Sequence, residues 1–309
     1  MKHYSVLLKE SIDMLDIKPN GIYIDGTLGR GGHSAEILKR LDDGMLIAFD
    51  RDSSAIAESK KRLSAVSDRI TYVHANFSMM KQELKKLGIE KVDGILLDLG
   101  VSSPQFDEAE RGFSYRFDAP LDMRMNQEQE LTAENIVNTW SYEELVSIFY
   151  RYGEEKFAKS IARAIEKQRE RQPIHTTFQL VDVIKSALPQ KVLNKKGHPA
   201  KKVFQAIRIA VNDELDELKK VLQDGMYLLK PHGRFCVISF HSLEDRMVKE
   251  AFVAASSIPY FDKRMPIIPA ELTITDFQIV HKKPITADET ELNENNRSHS
   301  AKLRTIERI

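Results

Sequence analysis

Apolar residues in the first hundred positions fall into short runs that end in acids. IYID (22–25) is the first, and MLIAFDRD (45–52) is a second buried run closing on Asp50. ITYVHANF (70–77) alternates and ends at Asn76-Phe77, and VDGILLDLG (92–100) ends at Asp98. Short apolar runs that alternate with segments of helical spacing predict parallel strands in an α/β sheet. SAEILKRL, after the first run, is such a segment, with Ala35, Leu38 and Leu41 every three residues.

Beyond Asp98 the pattern changes. Residues 102–125 are rich in Phe, Arg, Asp and Pro without periodicity and are expected to form an ordered loop. Ser141-x-x-Glu144 reads as a capping box before ELVSIFY, a helix that Gly153 should end. EEKFAKSIARAIEKQRER places Phe157, Ile161 and Ile165 on one stripe. TTFQLVDVIKSALP predicts another helix, and AKKVFQAIRIAVNDELDELKKVLQ a single long one. Strand patterns return at 233–242, 277–285 and 302–309. The expected organisation is a doubly wound α/β domain, 1–105 with 215–309, carrying an inserted helical domain at 106–214.

The turn after the first run carries Gly26, Gly29, Gly31 and Gly32 within seven residues. Strand, glycine-rich turn and helix make a nucleotide-gripping element, because bare backbone can take positive φ and approach a ligand. The dinucleotide pattern G-x-G-x-x-G fails in both registers, ending on Ser34 in one and meeting Leu28 in the other. Asp25, just before the glycines, suits a cationic ligand better than a pyrophosphate. S-adenosylmethionine is such a ligand; a purely structural strand-turn-helix is the alternative this loop leaves open. Asp50, 18 residues after Gly32, sits where a ribose-hydroxyl acceptor is expected. Asn76 and Phe77 could flank an adenine ring.

Composition narrows the setting. A chain of 309 residues can bury about three quarters of its unfolded surface. Its one cysteine, Cys236, excludes an internal disulfide. Absence of CxxC and HExxH argues against a zinc site. No segment resembles a signal peptide or a membrane span, so a cytoplasmic enzyme is expected. Lys plus Arg and Asp plus Glu number 46 each, but residues 151–205 hold 13 basic against 5 acidic, a local excess of 8. KVLNKKGHPAKK (191–202) concentrates five of those lysines in an expected loop that could reach phosphates. Phe106, Phe113, Tyr115 and Phe117, interleaved with Arg111, Arg116 and Arg124, suit base stacking, although most are expected to be core.

DGTLGRGGHS, AFDRD, GILLDLGVSSPQ, ERGFSYR with PLDMRM, GEEKFAKSIARAI and ISFHSLEDR occur in that order. Through them the chain resembles the bacterial small-subunit ribosomal RNA cytosine-N4 methyltransferase family from His3 to Arg308. The resemblance implies a class I methyltransferase fold, S-adenosylmethionine as cofactor and a decoding-region cytidine as target, with small-subunit ribosomal RNA in the assembled small ribosomal subunit as the partner. It carries the cofactor contacts onto Gly31, Gly32, His33, Asp50, Phe77, Asp98 and Gln105. Amino-methyltransferases commonly place acceptors for the target amine in a D/N-P-P-Y/F turn, whereas this chain has Asp98-Leu99-Gly100-Val101-Ser102-Ser103-Pro104. Asp98, Ser239 and His241 are therefore the candidates for activating the amine. Two other functions stay in view: an RNA-binding assembly factor that keeps the fold as a relic, and a nicotinamide oxidoreductase.

Overall fold

A computed structural model describes residues 5–258 and 275–309; His3 lies outside them. The chain divides into two compact units, residues 1–100 with 216–309, and 101–215. The first is built on a seven-stranded sheet ordered β3-β2-β1-β4-β5-β7-β6. Its strands are β1 (Ile22–Asp25), β2 (Met45–Asp50), β3 (Ile70–His74), β4 (Val92–Asp98), β5 (Leu229–Ser239), β6 (Phe277–Ile279) and β7 (Lys302–Arg308). The first five run parallel; β7 is antiparallel to both β5 and β6. Strand order reverses at β1 and β4, which creates a crevice outside their carboxyl ends.

Period-two alternation sorts the strand residues between the two faces of this sheet. Ile24, Ile47, Phe49, Ile95, Leu97 and Val237 pack with Leu218 and Leu222 on one face. Tyr23, Leu46, Ala48, Leu96, Cys236 and Ile238 pack with Leu15, Ile37 and Leu63 on the other. Both faces are covered, which is why the runs are apolar throughout rather than half polar. Cys236 is fully buried in this core. The 277–285 run is shorter than its pattern: β6 ends at Ile279, and Ile285 makes only an isolated bridge to Leu303.

The second unit is helical, with a core centred on Phe149, Ile161, Ile165, Leu180, Ile184, Val203 and Ile207. It begins at Val101, not 106, because Val101 and Phe106 already pack against that helical core. Segment 102–125 is not all loop; it contains a helix, Ser103–Asp107, and a 3-10 turn, Ala109–Arg111. Ser141 and Glu144 form the expected capping box on helix Tyr142–Arg151. Gly153 does not end that helix through a left-handed conformation, since the positive φ falls on Glu154. A Cβ at Gly153 would instead lie 2.7 Å from the carbonyl of Lys202, so close backbone approach explains the glycine.

The expected long helix is two, Lys201–Asn212 and Glu214–Leu228, parted by Asp213 at φ 51°. Asn212 is buried and bonded by its side chain: its carboxamide accepts from Met125 N–H and donates to Met123 O. Across the break, Arg208 makes a bidentate pair with Glu214 at 2.8 Å. None of this is visible in the apolar periodicity, which runs on through the break.

Candidate functional site

The glycine turn is braced from within. Asp25 is 1% exposed; its carboxylate accepts from Thr27 N–H (3.1 Å) and from the Ser34 hydroxyl (2.6 Å). The Thr27 hydroxyl in turn accepts from Asp98 N–H at 2.7 Å, tying the ends of β1 and β4 together. Asp25 is therefore an internal strut, which corrects its reading as an acid offered to a ligand. Burial raises its pKa, opposed by the neighbouring His33 and by those hydrogen bonds. Gly31 caps helix Gly32–Leu38 at φ 71°, and a Cβ on Gly32 would collide with the Ser5 hydroxyl. Those two positions need glycine for different reasons, conformation at one and space at the other.

Asp50 closes β2. Its carboxylate accepts Gly29 N–H (2.8 Å) and Asp52 N–H (2.9 Å), which fixes the acid against the glycine turn. Burial pushes its pKa up to about 6 despite those two hydrogen bonds. Asn76 spends its side chain capping the turn after β3, by accepting from Ser78 N–H. Phe77 is buried in the sheet core with the Arg51 guanidinium 5.7 Å from its ring centre.

Asp98 is the distinctive group. Its side chain is a quarter exposed, with Oδ2 lying 3.8 Å from His33 Nδ1. Its Oδ1 has no hydrogen-bond partner among the described residues. Burial, followed by the charges of Asp25, Glu244 and Glu291, raises its pKa to about 8. An unpaired carboxylate oxygen in such surroundings costs free energy unless a donor or a cation is supplied. His33 is buried; Nε2 faces Val6 O at 3.1 Å, and burial lowers its pKa.

The β4 and β5 ends are side by side, Asp98 level with Ile238. Ser239 is 2% exposed and its hydroxyl donates to Lys302 O on β7, so it serves the sheet. His241 precedes helix Ser242–Ala255, with Nε2 3.1 Å from Glu244 Oε1. That contact lacks hydrogen-bond geometry, and both ring nitrogens are without a hydrogen bond among the described residues. Glu244 Oε2 accepts from Phe240 N–H at 2.8 Å. Gln105 belongs to the helical unit, where it is buried and its carboxamide oxygen accepts from Ser102 N–H at 2.9 Å.

One strand-end crevice thus gathers Gly31, Gly32, His33, Asp50 and Asp98, with Ser239 and His241 at the neighbouring strand end. Thr27, Ser34 and Glu244, which brace these groups, were not singled out from the sequence. Only their positions beside the glycines and in SFHSLEDR signalled them. The carboxylates of Asp50 and Asp98, with no lysine or arginine among these gathered groups, fit a cationic ligand with hydroxyl donors. They do not fit a pyrophosphate.

In the helical unit, Tyr115 stacks on His198 with ring centres 4.2 Å apart and planes within 10°, tying the basic segment to the aromatic one. Lys195, Lys196 and Lys201 are exposed beside it; Lys201 opens the helix Lys201–Asn212, in which Lys202 donates to Glu154 O. Phe113 is 4% exposed and belongs to the helical core; Phe117, at 52%, is open to solvent. Arg111 is buried and donates to the carbonyls of Arg124 and Met125, and Arg124 pairs with Asp122. Of the three interleaved arginines only Arg116 is exposed.

The model of the MraW methylase family matches residues 1–309. Among curated proteins, a Ribosomal RNA small subunit methyltransferase H of Oceanobacillus iheyensis is 56% identical over 309 residues, covering 100% of this chain and 95% of its own. One of Limosilactobacillus fermentum is 54% identical over 309 residues, covering 99% and 98%. Among solved structures, an rRNA methylase from Streptococcus thermophilus aligns with a TM-score of 0.41 at 12% identity over 99% of both chains. S-adenosylmethionine, a sulfonium with ribose hydroxyls and no phosphate, has the chemistry that the strand-end carboxylates ask for. The chain belongs to the MraW methylase family and is an S-adenosylmethionine-dependent methyltransferase.

Proposed function

We propose that the chain methylates the exocyclic N4 of a cytidine in the decoding region of small-subunit ribosomal RNA, within the small ribosomal subunit. The observation that carries the substrate is full-length identity above one half with proteins named for that RNA. Gly31, Gly32, His33, Asp50, Phe77, Asp98 and Gln105 are assigned to the cofactor. Asp50 is positioned for the ribose hydroxyls and Asp98 for positive charge.

S-adenosylmethionine supplies an electrophilic methyl group. The rest of the reaction is positioning, since in-line displacement depends on holding the nucleophile in near-attack geometry. Cytosine N4 is a poor nucleophile because its lone pair is delocalised into the ring. An acceptor aimed at an N4–H localises that lone pair, and then takes the proton that the methylated amine must lose. His241 is assigned this role: its ring nitrogens make no hydrogen bond among the described residues, and the buried Glu244 carboxylate lies 3.1 Å from Nε2. Ser239, committed to β7, is left out of the chemistry.

The helical unit is assigned to the RNA strand around the target. Its exposed lysines and the exposed ring of Phe117 suit phosphates and a base face. An enzyme acting on a base in folded RNA has to unstack it, which needs such a grip.

The test is incubation with methyl-labelled S-adenosylmethionine and small subunits lacking the modification, followed by nucleoside mass spectrometry. N4-methylcytidine formed by the intact chain and lost in His241→Ala supports the reading. Label on another atom, or transfer undiminished in His241→Ala, overturns it.

A further inference from the structure

We infer that Glu291 is a positioning residue for the cofactor site: it clamps segment Ser5–Leu7 onto the glycine turn and so fixes the ring of His33 towards Asp98. This rests on the assignment of that crevice to the cofactor. Glu291 lies in helix Glu289–Glu294, 193 residues after Asp98 in the chain. Its Oε1 accepts Leu7 N–H at 2.9 Å and also the Ser298 hydroxyl. Leu7 is fully buried and holds a left-handed backbone, φ 50°. A leucine rarely adopts that conformation without outside restraint. The Glu291 carboxylate on its N–H is such a restraint.

Two contacts carry the clamp into the site. The Ser5 hydroxyl packs onto Gly32, 1.9 Å from where a Cβ on that glycine would lie. Val6 O faces His33 Nε2 at 3.1 Å. A carbonyl can only accept, so Nε2 carries the proton, and on a neutral ring Nδ1 is left as a bare acceptor. Burial, which lowers the His33 pKa, favours that neutral ring. Nδ1 then stands 3.8 Å from Asp98 Oδ2, and the two form a pair of acceptors for one amine. Losing Glu291 frees Leu7, then the Val6 carbonyl, and with it the tautomer of His33.

The experiment is nitrogen-15 NMR of the histidine-labelled full chain without ligand, His33 being assigned by its disappearance in His33→Asn. Calorimetric binding of S-adenosylhomocysteine runs alongside. In the parent chain His33 is expected as a single tautomer protonated at Nε2. In Glu291→Ala the tautomers mix, and affinity falls about tenfold, the worth of one charge-assisted hydrogen bond. Glu291→Gln, whose carboxamide oxygen still accepts, should keep both. A single Nε2–H tautomer and unchanged affinity in Glu291→Ala would overturn the inference. Should that variant not fold, amide exchange at Leu7 in the parent chain decides: protection supports the clamp, and exchange at the free-chain rate overturns it. If the parent chain fails to bind S-adenosylhomocysteine, the cofactor assignment falls, while the ligand-free tautomer still judges the clamp.

Discussion

The two units keep their charges in opposite ways. In the sheet unit, Asp25, Asp50 and Asp98 are drawn inward at strand ends, where backbone N–H groups and hydroxyls hold the first two. In the helical unit, Lys195, Lys196 and Lys201 stand in solvent on and beside a loop. Charges in a low-dielectric recess act strongly over short range and titrate far from their usual values. Charges in water act weakly one by one and are screened by salt. On the proposed assignment, the recess would serve one small cation and the exposed lysines a diffuse, salt-sensitive grip on a polyanion.

The comparison can be broken hardest through packing. Phe149 is fully buried in the helical core, and Phe149→Ala should cost about 3–5 kcal/mol. If the units are energetically separate, calorimetry will show an early transition with S-adenosylmethionine affinity retained. One shifted transition with loss of affinity would mean the units unfold together.

Next in size is Asp98→Asn. Removing the charge should weaken S-adenosylmethionine binding by about 10–100-fold, as for a hydrogen bond to a charged group. The same change should raise the melting temperature. The Asp98 pKa stands at about 8 in the fold against an ordinary 3.8, so ionisation opposes folding. Stability from this residue is complete below pH 3.8 and is lost as pH rises towards 8. The gain from asparagine is therefore small at pH 4 and largest above pH 8. Melting curves across that range check the sign.

The same shift predicts pH-dependent affinity in the parent chain. Because the ionised acid attracts the sulfonium, the S-adenosylmethionine Kd should improve up to about tenfold per pH unit as pH rises towards 8, then level off. Titration calorimetry at several pH values would show this, and a flat profile would remove Asp98 from the cation site.

Smallest is the effect in solvent. Lys195→Gln, Lys196→Gln and Lys201→Gln together should lower RNA affinity. They should also reduce the slope of log affinity against log salt by about 2, from about 0.7 for each lost phosphate contact. S-adenosylmethionine binding should not change. Filter binding over a salt series measures both.

Much of this division is legible in the sequence because it is local. Strand runs, their terminal acids and the glycine turn are contiguous, and their residues meet within one βα unit. The capping box at Ser141 and Glu144 spans four residues. What escaped the sequence reading depends on which side chains meet in space, whether near or far along the chain. Asp25 looked like a ligand group until Ser34 and Thr27 claimed both its oxygens. Phe113 and Phe117 are equally aromatic neighbours, yet one is core and the other open. The break at Asp213 is set by Asn212 reaching back to Met123 and Met125, which no helical periodicity contains. Glu291 sits in a polar stretch with no local motif.

The insertion also bears on how the chain reaches its fold. β4 and β5 pair with Asp98 level with Ile238, 140 residues later (238 minus 98). Closing so long a loop from a disordered chain is entropically slow, with each doubling of length adding about 0.6 kcal/mol. A helical unit with its own core can form early from near neighbours and serve as a prefolded spacer, leaving far fewer free residues to close. Its core mutants should then refold the sheet more slowly, even where their sheet contacts are untouched, a delay that stopped-flow fluorescence would resolve.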